Sequence, residues 1–168
     1  FLLLDDFRGD KPADYLAGFP WHPHRGIETI TYLLEGSVYH GDSMGNSGTI
    51  GPGDTQWMTA GSGIIHQEMP KPGPVGRMGG FQLWANLPAA HKMMDPRYRG
   101  ILAAEVPVVE APGGVRITVI CGEVLGARGP VRDVVIEPEY LDVTLPAGAR
   151  HEHPTVPGHT VFAYVFEG

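Results

Sequence analysis

Two short stretches concentrate side chains able to hold a metal: His22-Pro23-His24 and, well downstream, His66-Gln67-Glu68. In an extended chain residues i and i+2 project to one face, so each stretch can present two donors to a single point. Pro23 cannot donate to a strand ladder, and its fixed φ suits an edge or irregular segment. The residues between the pairs suffice for about three short strands, enough for a meander to bring the second pair beside the first. Glu28 shares parity with His22 and His24 and is a further candidate donor, with Gly26 as a point where the register can break. Three imidazoles and one carboxylate form a nitrogen and oxygen set without thiolate. Such a set favours Fe(II), with Mn, Cu, Ni or Zn also able to fit. Octahedral coordination by His22, His24, His66 and Glu68 leaves positions open for a substrate oxygen and dioxygen side by side. A closed structural zinc site is more often cysteine-rich, and this chain carries Cys121 alone.

The remaining histidines have no partner at ligand spacing. His40, His91 and His159 are isolated and read as surface or core residues. His151-Glu152-His153 is a rival pair without a matching second stretch, and a second metal is not expected there. Cys121 follows the apolar run Ile117–Ile120 and reads as a buried, inert thiol. No nucleophile-elbow, phosphate-loop or dinucleotide fingerprint is present.

The elements that position these groups must be strands. Gly (24) and Pro (16) are abundant in 168 residues that are still 42% hydrophobic, a balance that fits short strands joined by tight turns and argues against a helical bundle. Segments rich in β-branched and aromatic residues recur at Ile27–Leu34, Ser37–His40, Thr55–Thr59, Ile64–Met69, Arg77–Leu87, Val115–Cys121, Tyr140–Leu145 and Thr160–Phe166. Phe1–Asp6 reads as part of a strand as well. Asp42–Gly48, Gly51–Asp54 and Ala60–Gly63 supply residues that tolerate positive φ and mark turns. Only Pro88–Tyr98 carries helix formers in a row, and Pro96 limits it to about two turns. An internal echo places Gly26, Tyr32, Glu35 and Gly36 over Gly158, Tyr164, Glu167 and Gly168, which implies one strand-into-turn unit used twice. On that ruler His151 and His153 are displaced from His22 and His24. The second unit lacks most of its strands, so a longer natural protein is expected.

Charge and cysteine use narrow the function classes. A net charge of −7 without a basic cluster argues against direct nucleic-acid binding. No apolar run reaches the roughly 18 to 20 residues that cross a bilayer, so no membrane association is expected. One cysteine forms no internal disulfide, and a reducing compartment is expected, cytoplasmic or, in a eukaryotic cell, also nuclear.

Several stretches together resemble the pirin family of the cupin superfamily: Phe1–Phe7, Gly18–Gly26, Glu28–Gly36, Asp42–Asp54, Gln56–Pro70 and Phe81–Pro88. The resemblance implies an all-β bicupin of jelly-roll β-sandwiches. A complete N-terminal metal-binding cupin would span residues 1–105, and an incomplete second cupin residues 106–168. It also implies a single iron held by His22, His24, His66 and Glu68, with Glu28 where many other cupins place their carboxylate. Trp21 departs from the small or acidic residue such a motif usually has, and so is expected to narrow the pocket mouth.

Two functions follow from the resemblance. One is a quercetin 2,3-dioxygenase-type reaction on a small aromatic substrate such as a flavonol, with Glu68 as ligand and general base and Glu28 as its backup. Phe19, Trp57, Met58 and Met69 would then line an apolar pocket, or else belong to the core. The other is a non-enzymatic, iron-bearing module whose affinity for a protein partner follows the metal's redox state, of the transcription co-regulator type. A metal-free metabolite-binding cupin is the third option.

Overall fold

The segment Ile27–Glu35 (β3) is rich in β-branched and aromatic residues, and it forms the middle of the larger sheet, almost wholly buried on both faces. A computed structural model describes residues 1–168. On one side β3 pairs with Thr55–Thr59 (β6), and on the other with Gly79–Asn86 (β8). Leu3–Asp6 (β1) and Arg97–Ile101 (β9) complete five antiparallel strands in the order β1-β8-β3-β6-β9. A second antiparallel sheet runs β2-β7-β4-β5, from Phe19–His24 (β2), Ser37–Asp42 (β4), Ser47–Ile50 (β5) and Ile64–Lys71 (β7). Later in the chain Val108–Ala111 (β10), Val115–Cys121 (β11) and Tyr140–Thr144 (β14) form a third sheet. Glu123–Val124 (β12) and Ala127–Arg128 (β13) form a short ladder beside it.

The alternation along β3 assigns its two faces. Ile30 and Tyr32 join Trp57, Phe81, Leu83 and Ile101 in the main core cluster, which also takes in Ile120, Cys121 and Val131 from downstream. Thr29, Thr31 and Leu33 turn the opposite way, toward the four-stranded sheet, where Leu33 packs with Val38, Ile50 and Met78. Each fully buried aliphatic side chain of this kind contributes about 1.5–3 kcal/mol relative to exposure. The five-stranded sheet is therefore covered on both faces, and the space between it and the four-stranded sheet is where the histidines converge.

The structure bears out the strands expected in residues 27–87 and those at Val115–Cys121 and Tyr140–Thr144, with small shifts at their ends. Three expectations are corrected. Thr160–Phe166 forms no strand: most of it is exposed, Tyr164 donates its hydroxyl to Asp6 (2.7 Å), and Phe166 packs on the core rim without a ladder. β-propensity alone does not make a strand without a neighbouring backbone to pair with. Pro88–Tyr98 holds a single 3₁₀ turn, Ala89–His91, which ends at Lys92, and its last two residues already belong to β9, where the β6 edge offers a ladder. The turn expected over Asp42–Gly48 closes at Asn46. Asp42 Oδ1 accepts the backbone N–H groups of Met44 and Asn46 (both 2.9 Å), which releases Ser47 into β5.

Gly36, between β3 and β4, has φ +81°, and a Cβ there would lie 2.9 Å from the Lys71 carbonyl oxygen and 2.7 Å from Met78 Sδ. Gly36→Ala is expected to lower stability by about 2 kcal/mol or more through combined backbone strain and overpacking, read as a fall in the urea midpoint with unchanged slope.

Candidate metal centre

β2 runs antiparallel to β7 with His22 directly opposite His66, so the sheet places one imidazole of each stretch side by side. His24, two residues along, shares that face. The ligand nitrogens of His22, His24 and His66 all lie within 4.8 Å of one another. His22 Nε2 and His24 Nε2 are 3.1 Å apart, and the rings stand 4.4 to 5.0 Å from one another.

Their protonation states suit ligation. His22 Nδ1 lies 2.8 Å from the Pro20 carbonyl oxygen, which can only accept, so Nδ1 carries a proton and Nε2 is the nitrogen turned to the cluster. Burial pushes His24 down to about 4, with the neighbouring His22 charge adding to the effect. Burial pushes His66 down to about 3, again reinforced by His22 and then His24. His24 and His66 can therefore offer neutral imidazole at neutral pH. His66 is 1% exposed and neither of its ring nitrogens has a hydrogen-bond partner. Buried polar atoms are rarely left so, and a metal ion at this point would satisfy one of the two.

Glu68 is buried on β7 just beyond the cluster. Its carboxylate is not among the donors that converge within 4.8 Å, being held instead by Thr31 Oγ1 (3.1 Å) and Gln82 Nε2 (2.9 and 3.1 Å). Burial raises its pKa, while these hydrogen bonds oppose the rise. Glu28 is not brought to the site. It belongs to the five-stranded sheet and shares a face with Ile30 and Tyr32, where it accepts a hydrogen bond from Thr59 Oγ1 (2.7 Å). Its parity with the histidines is broken because the chain crosses from one sheet to the other at Gly26, with φ +72°.

Trp21 alternates to the outer face of β2, where it lies near Gly41, and so does not narrow the pocket mouth. Trp57 belongs to the main core and Met58 to a small buried cluster with Ile64. Phe19 does line a cavity of about 180 Å³, together with Phe7, Val38 and Met78. Thr31, Glu68 and Gln82 supply polar groups to the same cavity.

Sequence reasoning missed Thr31, Gln82, Trp84 and Tyr98 here, while His40, read as a surface or core residue, is buried. His40 lies opposite Glu68 in the β4–β7 register, is 1% exposed, stacks on Tyr98 at 4.5 Å and hydrogen-bonds its hydroxyl. Gln82 and Trp84 come from β8, and the Trp84 ring meets His24 edge-on at 5.1 Å. The period-2 spacing of His40 with Asp42 and of Gln82 with Trp84 was the available signal. Elsewhere, His153 contacts Glu139 (3.1 Å), and Cys121 is buried with its thiol pushed up to about 11 by burial.

The pirin family's sequence profile matches residues 1–85. This chain belongs to the pirin family. A Pseudomonas aeruginosa protein provisionally named quercetin 2,3-dioxygenase is 50% identical over 172 residues, spanning 100% of this chain and 60% of that protein. The chain thus covers well under two thirds of this relative's length. Among solved structures, the Acinetobacter baumannii quercetin 2,3-dioxygenase superposes with a TM-score of 0.62 at 41% identity, over 68% of this chain and 41% of that one. An Escherichia coli pirin in complex with nickel(II) superposes with a TM-score of 0.50 at 29% identity, over 69% of this chain and 52% of that one. The antiparallel sheets described above are accordingly the cupin-type sandwich of pirins.

Depressed imidazole pKa values make the metal-free pirin acid-sensitive. Above the ordinary value of 6.5 neither folded nor unfolded chain carries these protons. As pH falls from there toward about 4, the unfolded chain binds protons that native His24 and His66 refuse, so stability falls. Urea midpoints of metal-free protein are expected to decline over that interval, and the decline to flatten in the His24→Gln/His66→Gln double variant.

Proposed function

We propose that this pirin-family chain carries the metal centre of a quercetin 2,3-dioxygenase-type oxygenase. His22, His24 and His66 would hold Fe(II), with Glu68 as fourth donor, and a flavonol-like aromatic is the substrate. The observation that carries this reading is the convergence of three imidazoles, one of them buried with both ring nitrogens unpartnered. The names of the Pseudomonas and Acinetobacter relatives support the reaction class, and the nickel complex of the Escherichia coli pirin supports a divalent ion. An imidazole and carboxylate set without sulfur accepts Fe(II) as well as nickel, and Fe(II) is the ion proposed for reaction with dioxygen.

A bound divalent ion supplies Lewis-acid stabilisation of an ionised substrate hydroxyl and a template for dioxygen. The chain's own residues do the rest. Phe7, Phe19, Val38 and Met78 give the cavity, which also takes in Asp5, Arg8 and Asp14, one apolar wall against which an aromatic ring can pack. Glu68 reaches the same cavity, and its raised pKa suits a carboxylate that takes the hydroxyl proton as substrate enters. Glu28, on the far face of β3, has no part in this step. We also assign residues 1–105 to the metal-bearing unit and 106–168 to a second one. The separate core cluster of Ala111, Val115, Ile117, Val119 and Val124 supports that division, and Ile120, Cys121 and Val131 join the second unit to the outer face of the five-stranded sheet.

Aerobic incubation of the Fe(II)-loaded protein with quercetin is expected to consume dioxygen and release carbon monoxide. His24→Ala should lower the rate by about a hundredfold or more through loss of the ion. Stoichiometric iron uptake without either gas change would refute the oxygenase and favour the redox-dependent protein-binding module.

A further inference from the structure

The carboxylate of Glu68 sits in a clamp that no part of the proposed reaction explains. Oε1 accepts from Thr31 Oγ1 (3.1 Å) and Gln82 Nε2 (3.1 Å), and Oε2 accepts from Gln82 Nε2 (2.9 Å). An ionised carboxylate has about four lone-pair positions, two on each oxygen. Both positions on Oε1 are engaged and one on Oε2 is engaged, so the position left for another partner is on Oε2.

The direction of the Gln82 amide is settled by its other neighbour. The Trp84 indole N–H, which can only donate, points to Gln82 Oε1 at 2.9 Å. The amide nitrogen must therefore face Glu68. Gln82 and Trp84 are two residues apart on β8, and both face the four-stranded sheet, where the Trp84 ring also packs edge-on against His24. In the β3–β8 register Thr31 lies opposite Gln82 and Thr29 opposite Trp84, so one stretch of the larger sheet confronts the ligand-bearing strand with these groups.

We propose that Gln82, oriented by Trp84, is a positioning residue that makes Glu68 a single-oxygen metal donor through Oε2. The inference rests on the metal-centre reading and adds to it the side chains that aim the fourth donor. With Oε1 engaged by Thr31 and Gln82, the acceptor position that Glu68 would offer an ion is on Oε2. Outer partners of metal ligands are worth about 10- to 100-fold in affinity.

The test is nickel(II) affinity, measured by competition with a chelator on the full chain. The variants are Gln82→Met, Trp84→Phe, Glu68→Gln and the double variant Gln82→Met/Glu68→Gln. Gln82→Met is expected to weaken binding about tenfold or more, and Trp84→Phe, which keeps an aromatic ring beside His24, about threefold. In the Glu68→Gln background Gln82→Met should cost nothing further, because the clamp then has no carboxylate to aim. The visible spectrum of the cobalt(II) form should change in Gln82→Met and not change further in the double variant. If Gln82→Met fails to fold, Trp84→Phe carries the same comparison.

Unchanged affinity in Gln82→Met, beside a clear loss in Glu68→Gln, overturns the proposal while leaving the metal centre intact. Equal losses from Gln82→Met in both backgrounds overturn it in favour of a purely structural amide. No nickel uptake by the unaltered protein, or none lost in Glu68→Gln, overturns the fourth-donor assignment and the proposal with it.

Discussion

The cross-strand register of β2 on β7 is the constraint on which the centre depends. Paired residues in an antiparallel ladder hold their Cβ atoms about 4.5–5.5 Å apart. Setting His22 opposite His66 therefore spaces two imidazoles as a single ion requires, without any loop having to find that distance. His24 follows from the period-2 geometry of the same strand. A slip of β2 by one residue in this pairing would send His22 and His24 to the outer face, where Trp21 and Ile65 stand exposed, and leave His66 alone on the inner one. The desolvation that keeps His24 and His66 neutral is a product of the same register, since it turns them toward the five-stranded sheet.

The larger sheet has two separate tasks, divided by the alternation of β3. Its Ile30 and Tyr32 face holds the main core together with downstream segments, and its Thr29 and Thr31 face supports the site. β8 repeats the division, with Phe81, Leu83 and Ala85 in the core and Gln82 and Trp84 toward the histidines. Polar residues in otherwise apolar strands are thus placed at alternate positions, where their hydrogen bonds can be met across the gap between sheets.

Much of this was legible in the chain. The strands of residues 27–87 announced themselves by β-branched content and turn punctuation, and the His-x-His and His-x-Glu spacing identified the three imidazoles that converge. Parity arguments failed wherever the chain changed sheets. Glu28 was matched to the histidines as if one strand ran through Gly26, and the positive φ at that glycine carries it into the other sheet instead. Glu68 shares β7 with His66, yet where its carboxylate turns is decided by Thr31 and Gln82, which lie far away in sequence. Contacts between distant strands, such as His40 with Tyr98, depend on sheet order, and spacing along the chain carries no record of that.

β2 is the outermost strand of its sheet, so His22 and His24 are carried by backbone that has a ladder partner on one side only, and Pro23 between them donates no ladder bond. Edge strands open locally at a fraction of the free energy of global unfolding. An ion held by His22 and His24 would therefore be exposed by fraying of a single peripheral strand, while the sandwich behind it stays folded.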